Sequence, residues 1–500
     1  MAMHIPRALR WKHFSDRRDR DTTRRTLDTS STPPKTTRRQ RPLAKAVKPA
    51  YYTHDLYPQD ATSLTLHHPH SETTDLLSAV TDTLQRMRMS QGFYALVPSR
   101  IGHCTAVDSA AAAMVLGCRR SSDDTRAATD RSYLQAISRL RAALACPEQH
   151  ASHGDNLLLA AAMLASFNLV HGSDGAQYSL HARGISALLL AYDADRGPSE
   201  LARGVLWWHW PGMFQIPVAR GEASPFDTPV WLDRDIGTTI HAAPDVNKLS
   251  SIGNTLLIRL PRLIALVRSL RLNPTDPALL QLGIALSTEL QQMKDLTAEN
   301  NFLHLVRLVK TVAESDARIV PISFDFDRPA IFLGAAKYWQ TVLLLNRLCL
   351  ALAALTPAPY LAPNSNPHPS PCPSQTPFNT PALRAENHRI TTNLLMSWQY
   401  HYPIGWVGLW ALRVGFLAAW ATTLDAFRRD PDAEWRAGLA VRDVRAWLLR
   451  RYSDSQRGRA TFTAGEMDEA ADLLAGGPLK GFFVEAARPG AAGRLGKGDG

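Results

Sequence analysis

Cysteine is scarce in this 500-residue sequence, which holds only Cys104, Cys118, Cys146, Cys349 and Cys372. The five are scattered and no two form a C-x2-C pair, so a disulfide framework is excluded and a reducing compartment fits best. Long apolar runs are lacking too. The two richest stretches, YWQTVLLLNRLCLALAALTPAPYLA and VGLWALRVGFLAAW, are each interrupted near the middle by an arginine, Arg347 and Arg413. Neither reaches about eighteen uninterrupted apolar residues, so both read as buried helices and no membrane partner is expected. The first thirty residues contain no apolar h-region of a secretory leader. Asp16, Asp19, Asp21 and Asp28 in the same stretch also argue against a mitochondrial presequence.

Enzyme signatures are missing as well. There is no G-x-S-x-G, no H-E-x-x-H and no G-x-G-x-x-G following a strand. The fragment GRLGKG near the end lacks the pattern of a phosphate loop, because Ala491 and Gly498 stand where Gly and Ser or Thr are needed. His67, His68 and His70 have no Cys or acid at ligand spacing, so no metal site is expected. His181 and His209 are lone histidines on apolar helices. They read as packed or hydrogen-bonded side chains rather than catalytic bases, and the chain is expected not to be an enzyme.

What the sequence does have is charge in one place. The net charge is +11, and residues 1–50 carry 14 Lys and Arg against 4 Asp, a surplus of +10. The other 450 residues are therefore nearly neutral. A detached basic arm attracts polyanions, because each neutralised phosphate releases condensed counterion. Arg7, Arg10, Lys12, Arg17, Arg18, Arg20, Arg24 and Arg25 are the candidate phosphate contacts.

Residues 1–70 are Pro/Thr-rich and aperiodic, and are expected to form a disordered arm. From Glu72 the apolar period becomes helical. In YLQAISRLRAAL, Tyr133, Leu134, Ile137, Leu140 and Leu144 recur at three- and four-residue steps, with Arg139 and Arg141 facing away. Next come DNLLLAAAMLASFNLVHG, with Asp155 as its expected N-cap and Gly172 as its stop, and AQYSLHARGISALLLAY, with Leu180, Ile185, Leu188 and Leu189 inward. Short turns between these three predict antiparallel neighbours.

In LARGVLWWHWPGMFQIPVARG, Trp207, Trp208 and Trp210 surround His209, and Pro211 is expected to break the helix. Such tryptophans serve either to stack ligands or bases or, more commonly, to fill a core. Between Thr356 and Pro381 nine residues are proline, too dense for any packed element, so residues 356–381 read as a disordered insertion. No sustained strand alternation appears. The expected fold is all-α: a large helical domain of antiparallel pairs over 72–450, a helical extension over 451–487 and a loose tail over 488–500.

Two groups of residues carry a family resemblance. YLQAISRL from Tyr133, the Asp155-led helix and YSLHARGISALLLAY from Tyr178 follow one another in the order of three helices in the regulatory domain of the fungal zinc-cluster transcription factors. There the third helix has the form W-x-x-H-x-x-G-A-x-x-L-L. Tyr178 stands in place of its Trp, His181, Gly184, Leu188 and Leu189 match, and Ile185-Ser186 is inserted before Ala187. Independently, ALRWKHFSDRRDR resembles the "RLxWxxxxDRRR" segment that follows the zinc cluster in a subgroup of that family, at Leu9, Arg10, Trp11, Asp16, Arg17 and Arg18.

The resemblance implies a nuclear transcription regulator, with Tyr133, Tyr178, His181, Gly184, Leu188 and Leu189 as packing positions. Its implied partners are DNA, the transcription machinery and a homo- or heterodimer partner from the family. No Cys precedes Cys104, so the expectation for this chain is a factor that keeps the regulatory domain and the basic linker without the sequence-reading module. Zinc enters as a cofactor only where a C-x2-C-x6-C segment precedes Arg7. The alternative is a helical interaction module that dimerises with intact family members and modulates them.

Overall fold

The computed structural model describes residues 71–87, 92–118, 123–171, 175–191, 198–232, 243–356, 378–400, 406–436, 438–455, 462–481 and 484. The basic arm with its eight candidate phosphate contacts, the three histidines at 67–70, most of the Pro-rich segment and the tail from 488 lie outside the described residues. The chain divides into residues 1–67 and 68–500, and every helix and strand of the architecture belongs to the second unit.

The fold is all-α. Helices α1 (Glu72–Arg86), α2 (Thr105–Cys118), α3 (Asp123–Leu144), α4 (Pro147–His171), α5 (Gly175–Leu190) and α6 (Glu200–Arg220) lead to the short α7 (Pro229–Leu232). Then come α8 (Pro244–Leu272), α9 (Pro277–Gln292), α10 (Leu296–Leu305), α11 (Glu314–Ala317) and α12 (Pro329–Leu355). The last four are α13 (Thr380–Met396), α14 (Trp406–Arg429), α15 (Val441–Ser455) and α16 (Ala464–Leu474). The described residues also include short 3-10 turns at Gly92–Leu96, Pro98–Arg100 and Trp398–Tyr400 and two small antiparallel ribbons, β1 (Arg307–Lys310) with β2 (Ile322–Asp325) and β3 (Glu434–Arg436) with β4 (Leu439–Ala440).

Local chemistry sets several boundaries. Ser71, Ser199, Asp276, Asp295 and Asn379 each accept a backbone N–H of the first turn they precede, and Thr463 and Glu466 form a reciprocal capping box. Proline opens α8, α9, α12 and α13, where its missing N–H costs nothing.

From α2 to α6, helices adjacent in sequence pack on one another. At the centre lies α12, whose most extensive contact is with α8 and which also meets α9, α13 and α14. α8 and α12 are long and apolar enough to cross a bilayer by length and composition, and the apolar windows are 61% and 67% buried inside the fold.

Several sequence expectations need correction. Helix α4 begins at Pro147, eight residues before Asp155, so Asp155 lies within the helix and instead receives the Ser199 hydroxyl at 2.7 Å. Pro211 does not end α6, which continues to Arg220 and stops at Gly221 in the left-handed conformation. Leu134 and Leu180 point outward at 63% and 53% exposure rather than into the core. Each follows or precedes a residue that does face inward, so a one-residue error in the helical wheel reversed them. Thr356 closes α12 and Asn379 caps α13, which moves Pro381 out of the insertion and into a first turn. The expected boundary at 450 falls inside α15.

Candidate functional site

The motif residues come together only in part. Tyr133 on α3 and His181 on α5 meet across a hydrogen bond of 2.6 Å, and Asn168 Nδ2 on α4 donates to the same Tyr133 hydroxyl at 3.0 Å. The hydroxyl has one proton, so Asn168 donating into it directs that proton to His181 Nε2, which is then an unprotonated acceptor. Burial, with the charge of Arg141 adding to it, lowers the His181 pKa to about 4, so the ring is neutral at pH 7. Phe167 stacks on Tyr133 with ring centroids 4.6 Å apart.

Tyr178 is buried, and its ring lies beside Gly212 of α6: a Cβ at Gly212 would sit 2.9 Å from the Tyr178 ring and 2.8 Å from Ala182 Cβ. Gly212 is thus what lets α5 and α6 approach. Leu189 is buried and Leu188 half-buried, whereas Gly184 is exposed with no atom within 4 Å of where a Cβ would stand. Tyr133, Tyr178, His181, Leu188 and Leu189 therefore contribute to the α3–α6 packing, and Gly184 does not.

The tryptophan patch belongs to the core, since Trp207, Trp208 and Trp210 are all buried. His209 between them is fully buried; among the described residues neither ring nitrogen makes a hydrogen bond of ordinary geometry, and the Ala162 backbone is its polar neighbour. Its surroundings are aromatic, with Phe93 at 5.7 Å and Tyr178 at 6.3 Å between centroids. Burial, reinforced by His181, pushes its pKa down to about 3.

The feature that sequence reasoning missed is Lys337, in the middle of α12. It is buried, and among the described residues no carboxylate pairs with it. Its Nζ donates to Asn254 Oδ1 on α8 at 2.7 Å and to the Trp207 carbonyl on α6 at 3.3 Å. It also lies over the Trp207 ring, 4.5 Å from the centroid, and 5.6 Å from that of Trp210. Two influences oppose each other at this amine. The aromatic faces favour an ammonium, while full burial without a counter-charge favours the neutral amine. Burial wins, because the two ring contacts are worth a few kcal/mol at most against a larger desolvation penalty. The Lys337 pKa is accordingly well below its ordinary value of 10.5. A signal was present in the sequence: a lone lysine in the run IFLGAAKYWQTVLLL has no aqueous side to turn to.

Two buried carboxylates organise the second half of the body. Asp316 receives the indole N–H groups of Trp398 at 3.2 Å and Trp447 at 2.7 Å and the guanidinium of Arg451. Glu299 receives both guanidinium nitrogens of Arg389 and the Trp339 indole at 2.8 Å. Among the described residues no group of three or more His, Cys, Asp or Glu side chains converges as a metal site. No family model, curated protein or solved structure matches this chain.

Proposed function

We propose that the chain is a nuclear transcription regulator of the fungal zinc-cluster kind, whose helical body is a regulatory domain and whose basic arm contacts DNA phosphates. The observation that carries this reading is the placement of charge: +10 of the net +11 lies in the first 50 residues, in a segment that includes ALRWKHFSDRRDR. The hydrogen bond between Tyr133 and His181 adds support, because it joins the helices carrying the two motifs of the resemblance. Phosphate contacts position a protein on DNA without reading its sequence. Gel-shift titration with several unrelated duplexes tests this: similar affinity for all, weakening with salt, is expected. A strong preference for one site at physiological salt, or no binding by the full chain at low salt, overturns it.

A second reading, a module that dimerises with zinc-cluster family members, is favoured by the outward apolar residues of α3 and α5. Leu134, Leu180 and Leu190 are exposed large side chains. Association measured by pull-down is expected to survive deletion of residues 1–50 and to be lost in Leu180→Glu. Loss with the arm instead would defeat the reading.

A further inference from the structure

Strand β1 is an open edge. Among the described residues it pairs only with β2, and that pairing sets which way its main chain faces. Thr311 N donates to Pro321 O at 3.1 Å in the register of the ladder, so the odd-numbered residues of β1 exchange hydrogen bonds with β2. The N–H and C=O groups of Leu308 and Lys310 therefore point away from β2. The N–H groups on either side are already used, Val306 N by Leu303 O at 3.4 Å and Val312 N by Gln399 Oε1 at 2.7 Å. Leu308 and Lys310 have no such partner among the described residues, which leaves their donors and acceptors in a row along the edge.

The side chains around this edge are apolar for a surface. Leu305 and Leu308 are exposed, and Val312 is 86% exposed. Arg307 is met by Asp325 at 2.8 Å and Asp327 at 3.6 Å, so Lys310 is the cation of the strand without an ion pair among the described residues. One free cation offers an acidic partner little.

A second copy of the strand fits better, because the free groups are their own complement. With a two-fold axis through Val309, Leu308 of one copy faces Lys310 of the other; each N–H meets the opposite C=O and every free group is used. Lys310 then lies across from Leu308 and Arg307 across from Thr311, so no like charges are opposed. Neighbouring registers fail. An axis at Lys310 sets that lysine against its own copy, and an axis at Leu308 sets Lys310 against Val306, whose N–H is already donated to Leu303.

We infer that the chain forms a homodimer through β1, in which the two ribbons join into one antiparallel sheet in the order β2-β1-β1-β2. The strand is 4 residues long, so the contact is weak and reversible and depends on concentration. This surface is separate from the exposed leucines of α3 and α5 and from the DNA-contact reading, and it is tested without DNA.

Sedimentation of the full chain over a range of concentrations tests the inference. A monomer–dimer equilibrium is expected, weakened at least about tenfold by Lys310→Pro. That substitution removes an outward N–H, the place where an edge strand tolerates proline. Leu180→Glu is expected to leave the equilibrium unchanged. Val309→Cys reads the register: across the axis the two 309 positions form a non-hydrogen-bonded pair with Cα atoms about 4.5 Å apart, within disulfide reach. Mild oxidation is expected to join two copies through position 309, identified by peptide mass mapping, whereas Leu308→Cys is expected to give no link between the two 308 positions. A chain that stays monomeric across the whole range, a dimer untouched by Lys310→Pro, a dimer lost in Leu180→Glu, or a dimer in which the link at 309 does not form overturns the proposal. If Lys310→Pro does not fold, the cross-link at 309 remains decisive.

Discussion

Lys337 Nζ donates to the main-chain carbonyl of Trp207, at 3.3 Å. That carbonyl is the one four residues before Pro211, which has no N–H to offer it. The lysine of α12 therefore supplies the hydrogen bond that proline removes from α6, which is part of why α6 runs on through Pro211 rather than ending there.

The same burial makes Lys337 a source of pH-dependent stability. Its native pKa is depressed below 10.5, so between the native value and 10.5 the unfolded chain binds a proton that the native chain does not. The contribution of Lys337 to stability is then greatest above 10.5 and falls as the pH drops towards the native value, at up to about 1.4 kcal/mol per pH unit. Urea unfolding at pH 7, 8 and 9 should show this slope in the unmodified protein and its loss in Lys337→Met. Parallel pH profiles for the two proteins would remove the neutral-amine assignment.

On the acid side the same linkage runs through two histidines. His181 and His209 have pKa values lowered to about 4 and about 3 against an ordinary 6.5. Below 6.5 the unfolded chain takes up protons that the native chain refuses, so stability present at neutral pH is lost as pH falls from 6.5. His209→Met removes a buried imidazole whose polar neighbour is the Ala162 backbone while roughly keeping volume, and is expected to change stability by less than about 1.5 kcal/mol at pH 7. Its unfolding free energy should fall less steeply from pH 6.5 to 5 than that of the unmodified chain. An unchanged acid slope would argue against a neutral His209.

The all-α class and the helical periods of α3, α5, α8 and α12 were legible because their apolar residues repeat every three to four positions. Asp155 misled, because a good N-cap residue is equally at home inside a helix when a partner such as Ser199 waits for its carboxylate. Pro211 misled because the group that rescues its orphaned carbonyl, the Lys337 amine, comes from a residue 130 positions away from Trp207. Tyr133 and His181 were picked out as separate packing positions, and their hydrogen bond was not legible because it joins residues 48 apart on α3 and α5.

Asp316 should be among the residues whose loss is felt most. Two buried indole N–H groups and the Arg451 guanidinium all converge on its carboxylate, so removing it strands a charge and two donors at once. Asp316→Ala is expected to cost about 3–5 kcal/mol, and Asp316→Asn less, because the amide oxygen still accepts. Denaturant titrations followed by the summed fluorescence of the twelve tryptophans measure the change in unfolding free energy. A cost below about 1 kcal/mol for the alanine variant would show that these donors find other partners.

The basic arm makes a quantitative prediction of a different kind. If Arg17 and Arg18 each neutralise one phosphate, the logarithm of duplex affinity falls linearly with the logarithm of salt concentration, and each contact contributes about 0.9 to the slope. Replacing both with alanine should therefore reduce the magnitude of the slope by about 2 and weaken every duplex by a similar factor at low salt. Fluorescence anisotropy with two unrelated duplexes between about 50 and 200 mM salt measures both quantities at once. A slope unchanged by the double substitution would take Arg17 and Arg18 out of the contact set. Weakening confined to one duplex would show that these arginines read base sequence, which a phosphate-only arm cannot do.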